Sequence, residues 1–143
     1  VGENQSKTED NAEGKEKEMT DTQASALSLA IARFMEPEPV WEHPKKSREY
    51  LGTFYSTERW WQKRFEFGTE RPAEPRSHRE PEVSMSLLKE LSLDVWADAN
   101  DVWRSGQAVY NGTVRMLVNM AQTDNPEDAI ALAAAKALGV EWE

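Results

Sequence analysis

Arg59, Trp60, Lys63 and Arg64 fall within one short run of the stretch FYSTERWWQKRFEF, residues 54–67. A tryptophan face flanked by cations can stack on a base or a nucleotide. Arg and Trp are also the types enriched where one protein grips another. These four are therefore the candidate ligand-binding or partner-binding residues. The competing reading sends Trp60 into the core beside Trp61 and leaves the three cations as a solvated face.

Other reactive types are present without the spacing that catalysis needs. His43 and His78 lie in proline-rich polar segments, with no Cys, no His at i+4 and no carboxylate pattern that would build a metal site. Both read as surface histidines. Ser56, Ser84 and Ser86 fit helix caps, and no G-x-S-x-G surrounds any serine. No glycine-rich phosphate loop occurs. Asp94, Asp98 and Asp101 lack the alternation and glycine of a calcium loop and read as a solvated acidic face. No catalytic residue, metal ligand or cofactor is assigned, and the chain is expected not to be an enzyme.

Composition narrows the classes further. The 143 residues contain no cysteine, which excludes disulfides, thiolate zinc sites and cysteine nucleophiles and suits a reducing cytosol. A net charge of −9 opposes direct, electrostatically driven binding of nucleic acid. No run approaches the roughly 20 apolar residues of a membrane span, so no membrane association is expected. Residues 1–18 have no apolar segment of the kind a secretory signal requires. They also lack Leu, Ile and aromatic residues, so burial cannot offset their ordering entropy.

These residues need elements to position them. The spacing predicts a disordered acidic and polar tail over 1–19 and a single small α+β domain over 20–143. Its first helix opens on a capping box, Thr20-x-x-Gln23, and buries Leu27, Ala30, Ile31 and Phe34. A second helix is expected from the Ser56 N-cap to Gly68, with Trp61 and Phe65 on its inner face. Residues 69–82 combine proline with charge and read as a solvated loop. A third helix follows around VSMSLLKELS, capped by Ser84 or Ser86. Over 107–121 both a hairpin turning at Asn111-Gly112 and a helix fit. The hairpin is favoured because Asn-Gly is costly inside a helix. Trp96 and Trp103 read as packing residues there. The last helix has Asp124 or Asn125 as cap, Pro126 in its first turn and Gly139 at its end. The fold class is α+β, a small layered domain with helices on a short antiparallel sheet.

Tyr55-Ser56-Thr57-Glu58 leading to Trp61, and Pro126-x-x-Ala129-Ile130 continuing through Ala133, Ala134, Ala137 and Leu138, together cover about a third of the chain. This pairing resembles small phage and prophage proteins of the ABA-sandwich type. In those a Tyr-Ser-Thr-acid opening leads a Trp-containing helix, a strand pair follows, and an alanine-rich helix closes. The 69–82 loop and the third helix interrupt that order here. The resemblance implies an accessory protein acting in the cytoplasm of a bacterial host, with no reaction attached.

Three functions are then expected. The first is a non-catalytic phage or prophage interaction protein with a protein partner. The second is a module that sequesters a nucleotide or another small ligand on Arg59, Trp60, Lys63 and Arg64. The third is an acidic inhibitor that imitates nucleic acid.

Overall fold

The computed structural model describes residues 19–41, 53–66, 69–98 and 100–142. The expected disordered tail over 1–18 and His43 lie outside the described residues. Met19, assigned to that tail from sequence, is 8% exposed and belongs to the core.

Helix α1, Asp21–Met35, starts on the predicted capping box. The Thr20 hydroxyl accepts from the Gln23 N–H at 3.1 Å, and the Gln23 amide accepts from the Thr20 N–H at 3.0 Å. Its buried face is Ala24, Leu27, Ser28, Ile31 and Ala32. Phe34, expected on that face, is exposed and lines a groove with Leu29 and Trp142. The helix ends at Glu36, which is extended, as a residue before proline must be.

The expected second helix is instead a β-hairpin. Strands β1, Thr53–Thr57, and β2, Trp61–Glu66, pair antiparallel in the register Thr53↔Glu66 to Thr57↔Gln62. The physical reason lies in the spacing. Trp61 and Phe65 are four apart, and four residues return to the same face both in a helix and in a strand. The Thr, Phe, Tyr and Thr of β1 carry strand propensity, and pairing between the two segments decides the matter.

The segment expected to be a solvated loop is structured. Strands β3, Thr69–Glu70, and β4, Glu74–Pro75, both pair with β2 on the side away from β1. Proline is tolerated in β4 because this is a sheet edge. Helix α2, Pro81–Leu91, then begins with proline in its first turn after Glu80. Neither Ser84 nor Ser86 is its cap. Ser84 is buried inside the helix and donates to the His78 carbonyl at 2.7 Å.

A second sheet, in the order β5-β6-β7, holds Leu93–Ala97, Trp103–Asn111 and Val114–Thr123. The hairpin reading of 107–121 is the one the chain adopts. Asn111 pairs with Val114, so the loop is Gly112-Thr113, one residue later than the Asn-Gly signal suggests. Only Gly112 of the two has positive φ, +66°. Lower in the hairpin, Gly106 faces Asn119 and Met120 at a bulge, with Asn119 at φ 55°. A Cβ at Gly106 would stand 3.1 Å from the Met120 side chain, so glycine lets the bulged strand close up.

Helix α3, Pro126–Leu138, is capped by Asn125, whose side chain accepts from the Asp128 N–H, and ends on left-handed Gly139. It contacts all three strands of the second sheet and both other helices. Residues 128 to 135 are consequently all buried, and Ala131, Ala133 and Ala134 are fully so. Small side chains are what permit that approach. Ala133→Leu is expected to destabilise the fold by about 1–3 kcal/mol through overpacking. Urea unfolding measures this, and unchanged stability would show slack around the helix. The molecule is α+β, and no described helix is long and apolar enough to cross a membrane.

Candidate functional site

The four sequence-predicted site residues do not converge. Trp60 is buried at 3% exposure, so its indole is not presented for stacking on a base. Arg59 is exposed and pairs with Glu90 at the end of α2, at 3.0 Å. Lys63 and Arg64 are neighbours in β2 and therefore point to opposite faces of it. Arg64 Nε lies 3.8 Å from Glu66.

The chemistry-bearing cluster is elsewhere, where α1, the 76–80 segment and α3 meet. His78, expected at the surface, is 1% exposed. Its Nδ1 is 2.8 Å from the Ser28 hydroxyl and its Nε2 is 2.6 Å from Asp128 Oδ1. Asp128 is fully buried. Its carboxylate also accepts from Arg79 Nε and Nη2, both at 3.0 Å, and from the Asn125 amide at 2.8 Å. Arg79 reaches on to the Met19 carbonyl and to Asp21. Burial pushes the Asp128 carboxyl up, but hydrogen bonds from His78, Arg79 and Asn125 outweigh it. The group is held well below the usual carboxylate range.

Serine, histidine and aspartate in a row are the components of a hydrolase triad, so their bonding decides what they can do. With Asp128 ionised, Nε2 donates to it and Nδ1 accepts from the Ser28 hydroxyl. That hydroxyl also accepts from the His78 backbone N–H at 3.0 Å. Ser28 lines a cleft of about 390 Å³ together with Ser25, Ser77 and Arg79, yet is itself only 5% exposed. Its hydroxyl is thus engaged as donor and as acceptor within the fold. The cluster ties the 76–80 segment to two helices. Arg76 extends the tie, binding Glu80 and Glu82 and the carbonyls of Glu58 and Arg59 at the β1–β2 turn.

Sequence reasoning missed this cluster because fifty residues separate Ser28 from His78 and another fifty separate His78 from Asp128. The available signal was slight: a histidine flanked by Arg76 and Arg79, and an aspartate three residues after an Asn cap. The three aspartates read as a solvated face have separate jobs. Asp98 accepts from the Asn100 N–H at 2.9 Å and from Arg104, and these bonds, the Asn100 one first, hold its carboxyl below the usual range. Asp94 pairs with Arg115 across the sheet. Asp101 takes a left-handed turn position. Among the described residues no group of three or more His, Cys, Asp or Glu is arranged to hold a metal.

The outstanding surface is the β6–β7 hairpin. Its outer half extends past β5, whose pairing with β6 begins at Leu93↔Gln107. Val109, Tyr110, Val114, Met116 and Met120 are five of the nine exposed large apolar side chains among the described residues. From Val102 to Thr123 there is no Asp or Glu, in a chain that carries 26. Comparison of the chain with protein-family models, with curated proteins and with solved structures finds no match to any of the three.

Proposed function

We propose that this chain is a non-catalytic accessory protein that acts through protein–protein contact at the β6–β7 hairpin. The observation that carries the reading is the concentration of exposed apolar side chains on that one projection, from Val109 to Met120. Val109, Val114 and Met116 share one face of the hairpin and Tyr110 stands on the other, and exposed apolar side chains gathered on one element without a carboxylate of its own are the surface type that marks protein contact sites. The engagement of Ser28, His78 and Asp128 with one another supports a structural role for the only Ser–His–Asp chain among the described residues. A phage or prophage setting is the one the resemblance implies. Of its two matched stretches, the closing alanine-rich segment is helical, while Tyr55, Ser56 and Thr57 lie within strand β1 instead of opening a helix.

Site-specific photo-crosslinking inside the expressing cell tests the reading. A photoreactive residue at Tyr110 is expected to give adducts of discrete mass, and one at exposed Thr22 on α1 is not. Equal or absent labelling from the two positions would count against the hairpin as the contact surface.

A further inference from the structure

We propose that two copies of this chain pair antiparallel through the outer edge of β7, about a two-fold axis at Met116, joining their three-stranded sheets into one. The inference rests on the hairpin being the contact surface and names its occupant.

Among the described residues, strand β7 pairs only with β6 and is an edge. The two-residue loop closes on the pair Asn111↔Val114, which by hairpin geometry exchanges both backbone hydrogen bonds. The backbone groups of Val114, Met116 and Val118 therefore point toward β6. Those of Arg115 and Leu117 point outward. A two-fold at Met116 sets Arg115 opposite Leu117 of the second copy, and Leu117 opposite its Arg115. All four outward N–H groups then meet outward carbonyls, while Met116 meets its own copy at a non-hydrogen-bonded pair.

The side chains suit the same axis. Val114-Arg-Met-Leu-Val118 reads almost alike in both directions. Reversal places Val114 against Val118, Met116 against Met116, and Val118 against Val114 on one face of the joined sheet. Val114 is 58% exposed and Met116 46%, so both have area to lose. The bulge at Asn119 interrupts the regular edge just beyond Val118, which confines pairing to this symmetric run.

Charge favours a second copy here above the rest of the molecule. Two chains of net charge −9 repel, and the hairpin is where they can meet without opposing carboxylates. The one charge in the pairing run, Arg115, is neutralised by Asp94 of its own chain. The other edge of the sheet, β5, carries Asp94 and is followed by Asp98. Over its regular run this edge carries no Lys and no Pro, its one charge is paired within its own chain, and its bulge lies beyond the run, so little there blocks pairing.

Sedimentation or light scattering on the full chain is expected to give about twice the 16.3 kDa of one copy. Leu117→Pro removes an outward N–H and no bond to β6, so it is expected to give a folded monomer. The chain has no cysteine, so Met116→Cys supplies a single thiol. Mild oxidation is expected to link two copies at least about tenfold faster than with Thr22→Cys, since pairing raises the local thiol concentration. If Leu117→Pro does not fold, the cysteine comparison alone decides. A wild-type chain that stays monomeric across the concentration series, or equal cross-linking at the two cysteines, overturns the pairing. A monomer that still forms Tyr110 adducts with a different protein overturns self-pairing and leaves the hairpin reading standing. Loss of all Tyr110 adducts removes both.

Discussion

Trp61→Ala is expected to lower the stability of the fold by about 3–5 kcal/mol, the range for removing a buried large aromatic side chain. Trp61 is 2% exposed and belongs to a core cluster with Trp60, Leu27, Ile31, Val83 and Leu87. Its Nε1 donates to the Glu36 carbonyl at 3.0 Å, fixing the end of α1 against β2. Alanine there both opens a cavity and removes the donor from a part-buried carbonyl. Trp60→Ala should behave alike, because its indole is equally enclosed. Arg59→Ala, at an exposed ion pair, should change stability by less than about 1 kcal/mol. Urea unfolding of the three variants separates the cases. A Trp60 or Trp61 variant that unfolds at the wild-type midpoint would place that indole outside the core.

Asp128→Ala is expected to cost about 3 kcal/mol. The wild-type carboxylate serves four donors from His78, Arg79 and Asn125, and removing it leaves them without an acceptor in a buried site. Arg79 is 36% exposed and can recover water, so the loss centres on His78, which cannot. Asp128→Asn keeps the shape and should cost less, because an amide oxygen still accepts. The charge also makes stability depend on pH. In the folded state the carboxyl is held below its unfolded value, so the unfolded chain takes up the extra proton first. The contribution is complete above the unfolded carboxylate value of about 3.9 and is lost as the pH falls from there. Urea midpoints measured from pH 7 to pH 3 should drop in that acidic window for the wild-type chain and drop less for Asp128→Asn. Parallel curves for the two would show that Asp128 does not carry a lowered value in the fold.

These two side chains also show why only part of the molecule was legible beforehand. Trp61 stood in a run whose four-residue spacing fits a helix and a strand alike. Nothing within residues 54–67 could choose between them. The choice comes from β1 pairing with β2, and from β4 closing over the other side of β2. Asp128 was legible as an acid near the start of α3, where it complements the helix dipole. That it also receives a histidine and an arginine from the 76–80 segment was not, because those partners lie about fifty residues away in a segment whose composition suggests solvent.

By itself the sequence determined the features made by residues within a few positions of one another. The Thr20–Gln23 capping box, the Asn125 cap with Pro126, the Gly139 stop and the tight turn at Gly112 all have the form their residue types demand. In each, the bonds or dihedrals at stake are satisfied locally, so no distant partner can veto them. Tertiary structure alone decided that residues 53–66 form a strand pair, that Trp60 turns inward and that His78 joins Ser28 and Asp128. It also decided that the apolar side chains left outside gather on one hairpin. Those outcomes depend on which surfaces meet across long stretches of chain, where burial of indoles and satisfaction of a buried carboxylate outweigh local preference.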